Sequence, residues 1–170
     1  MLILLIVSSC SSIGSKLKDS QLSDLYSSGQ IRDLEKILTH AEESASPEGK
    51  SILSTGRLMV ENKKVIKGSC WDYANAVFNK SGFKADQRVT PLKSKIEGPY
   101  ADLDTLKPGD WLYFINYSFK ESDHSGIFVD WTDLEKSRAV ILSYVGGRKK
   151  KPGSYRIYDL KHVYYIIRAK

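Results

Sequence analysis

The sequence predicts an α+β fold: helices in the first part of the chain, then an antiparallel sheet of about five strands. Three observations predict it. Apolar residues recur at three- and four-residue spacing between Gln21 and Asn62, the period of an amphipathic helix. The same period returns in Tyr73, Ala74, Val77 and Phe78. From Trp111 onward it gives way to short apolar runs bounded by Gly, Pro and polar turns, which read as strands. Helices followed by a run of strands are the α+β order.

The chain opens with Met1 to Val7, a continuous apolar run too short to span a bilayer, which takes about 20 residues. Small residues follow, Val7-Ser8-Ser9-Cys10-Ser11-Ser12. An apolar run ending in small residues is the grammar of a secretory signal. With a cysteine at the cut it resembles the lipobox of bacterial lipoproteins. That resemblance implies cleavage before Cys10, lipidation of its thiol and attachment to a membrane through the lipid. Residues 1–10 are expected to be a signal and lipobox segment, and 11–20 a polar tether.

Residues 21–62 read as a helical N-terminal part. Leu22, Leu25 and Tyr26 make one short face, interrupted at Gly29, and Ile31, Leu34, Ile37 and Leu38 continue it. Ser44-Ala45-Ser46-Pro47 breaks the run, and Pro47 suits the first turn of a second helix carrying Ile52, Leu53, Leu58, Met59 and Val60. This part is either a small cap on the following unit or a spacer with a partner-binding face. Residues 63–170 form that following domain. Its helix starts at Ser69, an N-cap residue, and stops at Gly82. Lys84 to Tyr100, with Pro91, Gly98 and Pro99, reads as an irregular loop bordering a groove. Strands are expected at Trp111–Ile115, His124–Trp131, Arg138–Val145, Tyr155–Leu160 and Val163–Arg168.

Composition bounds the function. At 170 residues the chain can bury a core of its own, and 41% hydrophobic with 27% charged residues is the mix of a globular protein. The net charge of +6 implies attraction to anionic surfaces such as membranes or wall polymers. No helix-turn-helix, zinc-finger or RNA-binding signature accompanies that charge, so nucleic acid is not the expected partner. One cysteine outside the lipobox and three scattered histidines lack metal-ligand spacing, so neither a metal nor another cofactor is expected.

Cys70 falls in the first turn of the Ser69–Gly82 helix. A thiol there meets unpaired backbone N–H groups and the positive end of the helix dipole, and both favour thiolate. With Cys10 taken by lipid, Cys70 is a single free thiol in an extracytoplasmic compartment, a reactive candidate. Its plain structural reading is a small buried hydrophobe. His124 opens a strand. His40 reads as a surface residue and His162 as a turn residue. The Arg148-Lys149-Lys150-Lys151 run reads as a solvated turn or as a contact for anionic wall polymer or lipid headgroups.

Three segments then stand in order: Cys70 at a helix start, Leu106-Lys107-Pro108-Gly109-Asp110-Trp111-Leu112-Tyr113-Phe114 running into a strand, and Asp123-His124-Ser125-Gly126-Ile127-Phe128-Val129 opening the next. Together they resemble the NlpC-type cell-wall peptidases and the related cysteine-histidine-dependent amidohydrolase/peptidase (CHAP) domains, both papain-like cysteine hydrolases. The resemblance covers roughly Lys67 to Val145. It implies a papain-like arrangement with the nucleophile helix packed on the antiparallel sheet, Cys70 as nucleophile and His124 as its base. These families place a His, Asn, Gln or Glu on the strand after the histidine strand. Here Ser143 is the only small polar residue available on that strand to orient the imidazole, by its hydroxyl or by a backbone carbonyl. Asp130, six residues along the histidine strand, would stand about 20 Å away if extended.

The Cys70 N–H is one expected oxyanion donor, with Ser69, Tyr73 or Tyr100 as possible others. Trp71, Tyr73 and Tyr100 are the candidate substrate contacts. The function implied is a lipid-anchored cysteine hydrolase of the cell envelope, cleaving peptide or amide bonds of peptidoglycan. The alternatives are a non-catalytic wall- or partner-binding lipoprotein on the same fold, and acyl transfer by the same Cys–His pair.

Overall fold

The computed structural model describes residues 28–149 and 151–170. The signal segment, the tether, Cys10 and the helical onset before Ser28 lie outside the described residues. Three α-helices come first: α1 (Ser28–Ser44), α2 (Pro47–Glu61) and α3 (Cys70–Lys80). Six strands follow: β1 (Arg88–Lys93), β2 (Trp111–Asn116), β3 (Ser122–Asp133), β4 (Arg138–Ser143), β5 (Ser154–Asp159) and β6 (Val163–Ala169). All pair antiparallel, in the order β1-β6-β2-β3-β4-β5. The class is α+β, with one strand more than expected.

Local chemistry fixes the helix ends where the sequence indicates them. Ser46 caps α2, its hydroxyl accepting the Gly49 N–H at 3.2 Å, and Pro47 takes the first helical position, where no N–H is needed. α3 closes at Gly82, which sits at φ +96° while the Phe83 N–H donates to the Phe78 carbonyl and the Gly82 N–H to that of Asn79. That is a Schellman closure, which only a residue tolerant of positive φ completes cheaply.

The extra strand is β1, inside the stretch expected to be a loop. Pro91 lies within it, and the pairing with β6 slips between Val89 and Leu92. β1 is an edge strand with mostly exposed side chains, the setting where a strand tolerates proline and an irregular ladder. Its sequence lacks the alternation that marks a half-buried strand, which is why pattern reading passes it over.

The sheet buries both faces. On one face Trp111, Ile127, Val129, Val140 and Leu142 pack against Leu34 and Leu38 of α1, Ile52, Leu53 and Met59 of α2, and Tyr73, Ala74, Val77 and Phe78 of α3. The N-terminal helices therefore share a core with α3 and the sheet. On the other face Leu112, Phe114, Phe128, Ala139, Ile141, Tyr158 and Ile166 form a second cluster with Leu106, and Leu103 packs against it. The Pro108-Gly109-Asp110 turn joins the layers. Asp110 is buried, its carboxylate accepting both Arg168 Nε and Nη2 at 2.7 Å and the Lys107 N–H at 2.8 Å. Gly109, at φ +95°, lies so close to α2 that a Cβ would fall 2.6 Å from Gly49 Cα.

Candidate active site

Cys70 is the first residue of α3 and is half-buried. The helix start is built by Asp72, whose Oδ2 accepts the Ser69 N–H at 2.7 Å and the Ser69 hydroxyl at 3.0 Å. These two bonds hold the Asp72 carboxyl below its ordinary pKa. The Cys70 and Trp71 N–H groups take no protein acceptor among the described residues, so they face outward as the orphan donors of a helix start. Ser69, one of the expected oxyanion donors, has both its N–H and its hydroxyl engaged by Asp72. The Cys70 N–H is the expected donor that stays free.

The thiol opens onto a cleft of about 1520 Å³. His124, Asp123, Tyr158 and the turn from Val145 to Lys149 line the same cleft. That turn is held against the approach to α3: the Gly147 N–H donates to the Gly68 carbonyl at 2.8 Å, and the Tyr144 hydroxyl bonds the Ile66 carbonyl at 2.5 Å and its N–H at 3.0 Å.

His124 sits three residues into β3. Its Nε2 lies 2.9 Å from Ser143 Oγ, and Ser143 Oγ lies 2.8 Å from the Tyr158 hydroxyl. Ser143 reaches His124 because the β3–β4 register pairs it with Gly126, so the two side chains share a face. Phe114 packs edge-on to the imidazole at 5.5 Å between centroids, and the Tyr158 ring stands 5.5 Å away on another side. Burial is the main cause that pushes the imidazole pKa down to about 4; Asp123 pulls it up and Arg156 pushes it further down.

Alternation along the strands separates the two halves of the expected pair. His124, Phe114, Ser143 and Tyr158 belong to the sheet face away from α3, whereas Trp111, Ile127 and Val129 carry α3. Cys70 and His124 therefore share the cleft at the end of the sheet but approach it from different sides, and no hydrogen bond joins them among the described residues. On the thiol's own side stand Tyr113 and Tyr164, their ring centroids 6.3 Å apart. The Tyr164 hydroxyl donates to Asp123 Oδ1 in a short hydrogen bond. Burial raises the pKa of both phenols, and both remain protonated.

The expected substrate contacts do not line the cleft. Tyr73 is 2% exposed: it lies on the apolar face of α3, and its ring stacks on Tyr144 at 4.5 Å. Tyr100 stacks on His162 at 4.2 Å and gives its hydroxyl to the Ile96 carbonyl, so neither tyrosine is an oxyanion donor here. Trp71 is 45% exposed beside Cys70 and tilted against Trp111, and it is not among the residues that line the cleft. His40 is a surface residue whose Nδ1 pairs with Asp130 at 2.6 Å, and His162 occupies the turn before β6.

The residues missed were Asp123, Tyr158, Tyr164 and Arg156. Register could have found two of them. Once Gly146-Gly147 is taken as the turn after β4, Ser143 faces Ser154, and alternation puts Arg156 and Tyr158 on the histidine's face. Among the described residues no group of His, Cys, Asp and Glu side chains forms a metal site. Compared with protein-family models, with curated proteins and with solved structures, the chain matches none.

Proposed function

We propose that the chain is a papain-like thiol hydrolase of the bacterial envelope, tethered through Cys10, that cleaves peptide or amide bonds of peptidoglycan. The observation that carries this reading is a free thiol at a helix start opening onto the cleft that also holds an imidazole fixed by Ser143. Cys70 Sγ attacks the carbonyl carbon, and His124 accepts the thiol proton and returns it to the leaving amine. In the tautomer whose Nε2–H donates to Ser143 Oγ, Nδ1 is the nitrogen left as base. Its neutral state at pH 7 suits a base and disfavours a standing thiolate–imidazolium pair, so deprotonation accompanies attack. The Cys70 N–H and the dipole of α3 then face the developing oxyanion. Water releases the acyl group from sulfur by the same exchange.

Mass spectrometry of purified peptidoglycan digested by wild type, Cys70→Ala and His124→Ala tests the reading. Muropeptide release by wild type and its loss in both variants is expected. Equal release by Cys70→Ala would overturn the mechanism.

A second reading, a non-catalytic binding lipoprotein, is favoured by one observation: thiol and imidazole are not bonded and lie toward different faces of the sheet. Alkylation separates the two. A Cys70 whose reaction with iodoacetamide at pH 7 slows in His124→Ala supports the hydrolase. A rate indifferent to His124 supports the binder.

A further inference from the structure

The cleft is lined by four basic side chains, Lys67, Arg148, Lys149 and Arg156. None of the four is in an ion pair among the described residues. The two carboxylates of the same cleft accept hydrogen bonds from uncharged groups, Asp72 from Ser69 and Asp123 from Tyr164. Four cations thus share one concave surface with two carboxylates, an excess of two positive charges, and none of the four is paired to either carboxylate. Arg156 differs from the other three in coming from a strand. It shares the face of Ser143 and Tyr158, and Ile141 is its β4 partner. Its Nε donates to Ser154 Oγ at 3.3 Å, which leaves the two terminal NH₂ groups free for a ligand. A guanidinium with free terminal nitrogens is matched to a carboxylate, which it can take by two parallel hydrogen bonds.

We infer that the cleft recognises a peptide carrying a free carboxylate beside the bond offered to Cys70, with Arg156 as the residue that reads it and Lys67, Arg148 and Lys149 supplying the surrounding field. This rests on the hydrolase reading for its chemistry and on the cleft alone for its ligand. Arg156 is a specificity residue, and the proton transfers remain with Cys70 and His124. Exposed Val65, Phe119 and Ile157 line the same cleft, so apolar parts of the peptide also find cover there.

The test uses the full chain and two synthetic peptides that differ only in a carboxylate or a carboxamide next to the scissile amide. Wild type is expected to prefer the carboxylate peptide in kcat/KM by about tenfold or more, the scale of one charge-assisted hydrogen bond. In Arg156→Gln that ratio falls toward one, and in Arg156→Lys it is partly restored. The Arg148→Gln/Lys149→Gln double variant, on the surface turn, lowers binding of the carboxylate peptide while retaining some preference. A wild type that cleaves both peptides equally, or an Arg156→Gln protein that keeps the full preference, overturns the inference. Binding to Cys70→Ala protein, followed by calorimetry, separates its failure from that of the hydrolase reading. If neither peptide is cleaved but the carboxylate peptide binds more tightly and loses that advantage in Arg156→Gln, the hydrolase reading falls and the anionic-ligand inference stands. Binding of neither peptide, or displacement of the carboxylate peptide by equimolar inorganic phosphate, overturns it.

Discussion

At the scale of single residues, the proposed chemistry turns on how His124 is held. Its partner is a hydroxyl, where a carboxylate would add charge to stabilise an imidazolium. Ser143 can therefore orient the ring but does little to raise its pKa, and burial wins. Ser143→Ala removes the orienting bond and leaves Tyr158 within 3.5 Å of Nε2 as a poor substitute. The expected result is a drop of about ten- to a hundredfold in kcat with little change in KM, the range in which misaligned groups cost rate. Stability carries the second signature. The folded pKa of about 4 lies below the ordinary 6.5, so between these values the unfolded chain binds more protons than the folded one. The contribution is present above pH 6.5 and is lost as pH falls toward 4. At about 1.4 kcal/mol per pKa unit it amounts to about 3 kcal/mol at most. Urea unfolding of wild type at pH 4.5 and pH 7.5 should show the loss, and His124→Gln should show it reduced. An identical pH slope in the variant would mean that other groups drive it.

At the scale of elements, the turn before β2 sets the site's frame. The Gly109 N–H donates to the Phe128 carbonyl at 2.9 Å, and the Phe128 N–H to that of Asp110 at 2.8 Å, so the turn is stitched to β3, the strand that carries His124. Asp110 ties the same turn to Arg168 of β6. Asp110→Ala leaves Arg168 without its carboxylate and the Lys107 N–H without its acceptor. Because Arg168 is only partly buried, the expected cost is about 3 kcal/mol, the low end for breaking a buried pair, read as a shift in the urea midpoint at unchanged slope. Gly109→Ala should be destabilising too, since α2 would have to move off the turn and the backbone sits at positive φ. These elements were legible in the sequence because each carries a local signal: Pro47 behind a serine cap, Gly82 after the last apolar residue of α3, Pro-Gly-Asp ahead of an apolar run. β1 carries none, since an edge strand draws its order from its neighbour β6 and not from its own pattern.

At the scale of the whole molecule, the residues proposed to carry the chemistry were legible, but their relation to one another was not. Cys70 and His124 stand out by type and by place in their elements. Which face of the sheet each serves depends on pairing registers that no single segment encodes. Charge distribution is likewise a property of the assembled fold. Lys67 is far from Arg148 and Arg156 in sequence and meets them only when the turn after β4 closes on the approach to α3. The net charge of +6 is thus partly focused on the cleft, and attraction to a polyanionic wall should be electrostatic and screened by salt. Co-sedimentation of the full chain with purified peptidoglycan should be strong at about 0.05 M salt and largely lost by about 1 M, where the screening length falls to about 3 Å. The Arg148→Gln/Lys149→Gln double variant should lose it at lower salt than wild type does. Binding that persists unchanged across the salt range, or a double variant indistinguishable from wild type, would mean that apolar contacts hold the wall and that the basic cleft plays no part in docking.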